Sequence, residues 1–307
     1  MELDKLQTLL YDFFGKERED TYTTKLLANP FTKGITQDEN GTFYVESKLI
    51  LNPDDIKLGW HFEKYKSGGL WPRLARNFFP FHEAVCRRSG TSSKEVGIRV
   101  HRQIYHVIHC IGYEKFKIGD YQIIECNCVV KTNPKRLNKL TLQAFEKMDS
   151  LGITPEDAEV PIYCNGGFCT KLDVVGYRWK GTRRQTSTII SIKTGYTIGY
   201  DRDSRGSVFY EPFEDLKCTS KNKNQLQALA ELCILKYDYG MTFEDYFIFY
   251  LGKVQDDDGN AECLVEPLEL GKDDHLKLMF YTALCRTEYE QKHQEDQKFQ
   301  DSNTKKK

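Results

Sequence analysis

The chain reads as an α/β (α+β) protein with a mixed central β-sheet flanked by helices, and three observations carry that expectation. Three apolar runs, Glu159–Cys164, Phe168–Trp179 and Thr186–Lys193, follow one another as consecutive strands. Asn165-Gly166-Gly167, a hairpin turn sequence, joins the first two. Helical periods precede this meander, and a further helix and strand follow it.

The elements are expected in this order. Leu3, Leu6, Leu9, Leu10 and Phe13 recur at a helical period over residues 1–16. From there to residue 70 the text is irregular, with turn signals at Asn29-Pro30, Asn40-Gly41 and Asn52-Pro53 and a short strand around Thr42–Tyr44. Residues 1–70 are therefore expected to be an N-terminal appendage to a main domain over 71–292. Pro72–Arg88 reads as a helix with an aromatic face, and Ser92-Ser93 as the cap of a second helix over Lys94–Cys110. Strands at Tyr113–Lys117 and Tyr121–Val130 lead to a helix opened by Pro134 and running through Met148. Beyond the meander, Gly195–Ser220 is a charged, aromatic loop, and Asn222–Tyr239 is a helix ended by Gly240 as a left-handed cap. Tyr246–Lys253 and Cys263–Leu268 are strands, and Asp273–Gln291 is a final helix. Residues 293–307 are polar and expected to be disordered.

Composition narrows the function. The 307 residues allow one large domain or two small ones, and 29% charged against 39% hydrophobic is an ordinary globular balance. With 44 basic and 45 acidic residues the net charge is −1, so attraction to nucleic acid has to come from local patches. Such clusters occur at Arg87-Arg88, at Arg99 with Arg102, from Lys131 to Lys139 and from Lys180 to Arg184; for any one of them taken alone a solvated surface is the better reading. No apolar run approaches a bilayer span and the start Met1-Glu2-Leu3-Asp4 is not a signal peptide, so no membrane partner is expected. The 10 cysteines are scattered, and Cys126-x-Cys128 is too tight for a zinc knuckle. They read as reduced thiols in an intracellular protein, cytoplasmic or nuclear.

The chemistry concentrates on the meander. Asp173 interrupts the apolar run Leu172-Asp173-Val174-Val175, and a carboxylate there is costly unless it is paired or holds a cation. Lys193 ends Ile189-Ile190-Ser191-Ile192-Lys193 and shares a face with Ser191. An acid and an amine on adjacent strands are how metal-dependent phosphodiesterases hold a divalent ion and a cleavable phosphate, although a strand-end charge is the plain alternative for Lys193. Gly97 lies one turn before His101, so their helix can approach another backbone closely and leave the imidazole at a buried seam, as a ligand or as a core histidine. Glu159 precedes the Gly-Gly turn, and Gln227 and Glu231 project together from the following helix.

Gly97-x-x-x-His101, Glu159, Asp173, Ile189-Ile190-x-Ile192-Lys193-Thr194-Gly195 and Leu226-Gln227, in that order, resemble the PD-(D/E)XK nuclease superfamily. The branch is that of RecB-like and CRISPR-adaptation-type exonucleases, which includes similar nucleases of large DNA viruses and mitochondria. The resemblance covers roughly residues 72–255 and implies a restriction-endonuclease-like core. It implies a Mg²⁺- or Mn²⁺-dependent DNA nuclease, in effect an exonuclease, acting on single strands or duplex ends in replication, repair or recombination. By the same resemblance His101 and Asp173 are metal ligands and Lys193 orients water and phosphate. Gln227 contacts the wall of the site or the DNA backbone, and Glu159 supports the metal or its water. Arg99, Arg102, Arg178, Lys180, Arg183 and Arg184 would guide the backbone. No iron–sulfur cluster is expected, because only Cys263 and Cys285 lie near the C-terminus. The chain departs from the family at Ser191, where an acid is usual, and at Glu231, where a tyrosine is usual. Glu159, Glu231 or Glu214-Asp215 would have to replace the missing carboxylate; otherwise the fold is a catalytically degenerate one that binds nucleic acid or a partner protein.

Overall fold

The structure is a computed structural model that describes residues 26, 29–38, 42–46, 64–80, 91–113, 137–194, 207–255, 261–270 and 272–285. The N-terminal helix, nearly all of the two strands between Tyr113 and Val130, the last turns of the final helix and the polar tail lie outside these residues. The described chain runs α1 (Pro30–Gly34), β1 (Ile35–Gln37), β2 (Phe43–Glu46), β3 (Lys64–Gly69), α2 (Leu70–Phe78) and α3 (Thr91–His106). A π-helical turn (Val107–Ile111), α4 (Lys139–Ser150), β4 (Ile153–Cys164), β5 (Phe168–Arg178) and β6 (Thr186–Lys193) come next. Then follow α5 (Ser220–Asp238), β7 (Asp245–Gln255), β8 (Ala261–Pro267) and α6 (Asp274–Cys285). Among the described residues no helix is long and apolar enough to cross a membrane.

The strands form one mixed eight-stranded sheet flanked by helices. β4, β5 and β6 are an antiparallel meander, β6 and β7 are parallel across the α5 connection, and β7 and β8 are antiparallel. β4 covers one edge of β5 from Ile153↔Arg178 to Cys164↔Phe168. The other edge is shared: β6 pairs with Val174–Arg178, and β3 pairs, parallel, with Phe168 and Cys169 only. Between these partners β5 and β6 fork. Through β1 and β2, residues predicted to be an appendage add strands to the same sheet.

Each sheet face buries its own core. On one side α2, α5 and α6 pack Leu74, Phe78, Leu229, Ile234 and Phe280 against Ile162, Leu172, Val175, Ile189 and Ile248. On the other α3, the π-helical turn and α4 pack Val100, Ile104, Val107, Phe145 and Met148 against Ala158, Val174, Ile190 and Ile192. Gln103 ties this second layer together, its Oε1 accepting from the Asn138 N–H and the Thr141 hydroxyl, each at 2.8 Å.

Several predicted boundaries are corrected. α2 ends at Phe78 rather than Arg88, because Phe79 precedes Pro80 and is held extended at ψ 142. α3 starts at Thr91 and widens after His106 into the π-helical turn, which Gly112 stops at φ 87. α4 begins at Lys139, not at Pro134, with the Asn138 side chain accepting from the Leu140 N–H as its cap. Asp173 stands in the middle of β5, inside the apolar run as expected. The predicted stop of α5 is seen: Gly240 takes φ 65 just beyond the helix.

Gly176 is where β5 comes closest to β4. A Cβ there would lie 2.2 Å from the Thr154 carbonyl oxygen and 2.8 Å from Pro155 Cα, beside the irregularity between Pro155 and Asp157. Backbone atoms cannot rotate aside, so Gly176→Ala should destabilise by about 3 kcal/mol, the upper range for overpacking. Urea unfolding checks it; a midpoint like that of wild type would mean that the hairpin yields easily.

Candidate metal centre

Residues two apart on a regular strand share a face. Leu172 and Val174 do not, since they belong to opposite cores, and the same is true of Val160 and Ala158. The hairpin thus turns over at Asp173 and at Glu159, and Glu159 has a left-handed backbone, φ 57. For a non-glycine residue that conformation costs about 1–3 kcal/mol and marks functional sites more often than neutral ones. Ala158 faces Val174 and Val160 faces Leu172, so the rotation sets Glu159 beside Asp173, two acids across one rung. Like charges so placed repel unless something positive lies between them.

His101 supplies that from α3. Its Nδ1 is 2.8 Å from Glu159 Oε1 and 3.6 Å from Asp173 Oδ1. The close approach predicted at Gly97 is present, but to a side chain: a Cβ on Gly97 would meet Thr194 Oγ1 at 2.9 Å. His101, Glu159 and Asp173 together can offer three ligand atoms that all lie within 4.8 Å of one another, in a part-buried position. Among the described residues this is the one such group. Its donor set, two carboxylates and an imidazole, fits a divalent cation.

The electrostatics agree. Burial pulls the pKa of His101 down, but the Asp173 charge and the Glu159 hydrogen bond outweigh it and raise it to about 9, against an opposing Lys193. Burial pushes Glu159 up, yet the His101 hydrogen bond and charge, with Lys171 behind them, hold it below the usual carboxylate range. The imidazolium, with Lys171 Nζ 3.5 Å from Glu159 Oε2, occupies the place where a metal's charge would stand.

Asp173 is also fixed from the other side. Its Oδ2 accepts the Ile192 N–H at 2.6 Å and the Ser191 hydroxyl at 3.3 Å. The last rung between β5 and β6 is Val174↔Ile190, so the carboxylate replaces the next backbone rung and props the fork open. Lys193, on the open side, donates to Gln227 Oε1 of α5 at 2.9 Å. Gln227 Nε2 donates to Glu231 Oε1 at 2.9 Å, as their spacing of one helical turn predicts. Glu231 Oε2 accepts from the Tyr246 hydroxyl.

Of the three replacements considered for the acid absent at Ser191, the structure brings Glu159 into the ligand group, while Glu231 is buried on α5 and Glu214 and Asp215 are exposed on the 207–219 segment. The basic residues divide. Arg99 and Arg102 are exposed on α3, the helix that carries His101. Arg178 stands five residues beyond Asp173 on β5, roughly 17 Å at about 3.4 Å per residue. It stacks on Trp179 at 4.0 Å and donates to the Leu151 carbonyl. Lys180 pairs with Glu156 at 2.7 Å, and Arg183 and Arg184 are exposed in the same turn.

Three features escaped the sequence reading. Lys171 partners Glu159, Tyr246 partners Glu231, and His109 Nε2 meets Asp157 Oδ1 at 2.7 Å, two residues before Glu159. The histidine pair had a signal, since His101 and His109 lie eight apart and Asp157 and Glu159 two apart, one helix opposite one strand. Tyr246 had none, because an aromatic at a strand start reads as core. No protein-family model matches the chain and no curated protein gives a match, so the site rests on its own geometry.

Proposed function

We propose that the chain is a metal-dependent DNA nuclease of the PD-(D/E)XK kind, an exonuclease acting on single strands or duplex ends. The observation that carries this reading is the meeting of His101, Glu159 and Asp173 within 4.8 Å of one another, with Lys193 on the adjoining strand of the same fork. The order α3, β4, β5, β6, α5, β7, antiparallel and then parallel, supports a restriction-endonuclease-like core.

His101, Glu159 and Asp173 would hold Mg²⁺ or Mn²⁺. When bound, such an ion supplies charge for the phosphate oxygens and lowers the pKa of a water. Lys193 contributes a fixed ammonium where negative charge grows on the phosphorus oxygens, and Gln227 holds it there. Arg99 and Arg102 would draw the DNA backbone to the mouth of the site, and the Arg178–Arg184 turn would act on the flanking strand. Replication, repair or recombination is the setting that such an activity serves.

One observation favours a second reading, a catalytically silent scaffold that binds nucleic acid or a protein. Ser191 is neutral and buried, and with the Ile192 N–H it uses Asp173 Oδ2. The test is cleavage of linear single- and double-stranded DNA in Mg²⁺ and in Mn²⁺ by wild type, Lys193→Ala and Ser191→Asp. Wild type should cut in either ion, since two carboxylates suit Mg²⁺ and Mn²⁺ alike. Lys193→Ala should lose about 10²–10³-fold. Cutting gained only in Ser191→Asp would establish the silent scaffold, and no cutting and no metal binding in any of them would overturn the nuclease.

A further inference from the structure

Glu231 is a carboxyl group in a place that ordinarily favours an apolar side chain. It is 1% exposed, on the face of α5 that packs Leu226, Leu229, Ala230 and Ile234 into the core. A buried carboxylate costs stability unless its oxygens are satisfied, and even satisfied it gives no advantage over a well-packed apolar residue. Both oxygens here are engaged, and both lead to the fork. Oε1 holds Gln227, which holds Lys193. Oε2 holds Tyr246, which is also within hydrogen-bonding reach of Ser191, the residue that donates to Asp173.

We infer that Glu231 is a positioning residue for Lys193: through Gln227 it fixes the ammonium over the fork. This rests on the nuclease reading for its catalytic consequence, though not for the contact itself. The groups facing Glu231 from the sheet and from its own helix oppose one another. Burial and the Asp173 charge push it up to about 7, against Lys193, Tyr246 and Gln227, which favour the carboxylate. Lys193 therefore favours the carboxylate at 231, with Gln227 between them to set direction.

Glu231→Gln keeps the volume and an acceptor for Gln227, removes the charge, and presents an amide donor to the Tyr246 oxygen in place of an acceptor. Three readouts separate positioning from packing: kcat and KM for DNA hydrolysis in Mn²⁺, the thermal midpoint, and the rate at which acetic anhydride acylates Lys193. The last is read by peptide mass spectrometry against exposed Lys139 as the reference. Glu231→Gln should lower kcat about tenfold or more with KM within about twofold, a loss confined to the chemical step. The midpoint should hold or rise, since a buried charge is gone. Lys193 should acylate about threefold faster or more, because an amine no longer held through Gln227 by Glu231 is freer to react. Tyr246→Phe removes the other donor, which favours the neutral carboxyl. It should shift Lys193 reactivity in the same direction, and it serves if Glu231→Gln does not fold. Wild-type kcat and wild-type Lys193 reactivity in these variants would overturn the inference, as would a lowered midpoint with Lys193 reactivity unmoved. If wild type itself cleaves nothing, the nuclease reading fails. Lys193 reactivity then decides alone: faster acylation upholds the hold of Glu231 on Lys193, and an unchanged rate ends it.

Discussion

Asp173→Asn should abolish metal-dependent hydrolysis while leaving the fold in place. Asp173 serves two groups with its two oxygens, facing His101 with Oδ1 and accepting the Ile192 N–H and the Ser191 hydroxyl with Oδ2. Asparagine retains one carbonyl oxygen, enough to keep the Ile192 N–H satisfied, so the fork keeps its prop. Alanine would orphan that N–H at a cost of about 1–3 kcal/mol and confuse the result. What asparagine cannot supply is the charge. Changes one step outside a metal's ligands cost about 10–100-fold in affinity or activity, so a ligand carboxylate should cost more than about 10²-fold in both. Calorimetric titration with Mn²⁺, the cleavage assay and a thermal melt run together check this. Retention of metal affinity in Asp173→Asn would remove Asp173 from the ligand group, whatever happens to cleavage.

The affinity for Mn²⁺ should rise by about tenfold per pH unit from pH 6.5 to near 9 and then level off. The cause is His101. Its pKa is raised to about 9, so over that range the imidazole carries a proton that a metal has to displace. Glu159 is held below the usual carboxylate range and takes no part in the competition there. The sign for stability is opposite. A group whose pKa is raised on folding, here from 6.5 to about 9, contributes stability that is complete below 6.5 and lost as pH rises through 9. Chelated protein should therefore melt at progressively lower temperature from pH 7 to 10, and saturating Mn²⁺ should flatten the decline. His101→Gln should lose both the slope of affinity and the decline in melting temperature. An affinity independent of pH would show that His101 is not a ligand.

Most of the sheet was legible because burial is written as period. The runs at Phe168–Trp179 and Thr186–Lys193 become β5 and β6 with almost no change of boundary, Glu159–Cys164 becomes the second half of β4, which starts at Ile153, and α5 stops where Gly240 ends it. The breaks misjudged were local competitions. Pro80 ended α2 early through the residue before it, and Asn138 capped α4 later than Pro134 suggested. The participation of β1 and β2 in the sheet was not legible, because β1 is only Ile35–Gln37 and four residues of β2 show little period.

For the site, the sequence by itself determined which groups are out of place. Asp173 inside an apolar strand, Lys193 closing another and His101 one turn after Gly97 are each costly or conspicuous in one dimension, and each lies at the fork. It did not determine which acid answers for Ser191. That was decided by the rotation of the hairpin at Glu159 and Asp173, by the β4–β5 register that sets those two side by side, and by the π-helical turn and Gly97 contact that seat α3 above them. Whether a residue is buried depends on its neighbours in the chain, and period records it. Whether two charges stand within ligand distance depends on pairings between distant segments, and only the folded chain settles those.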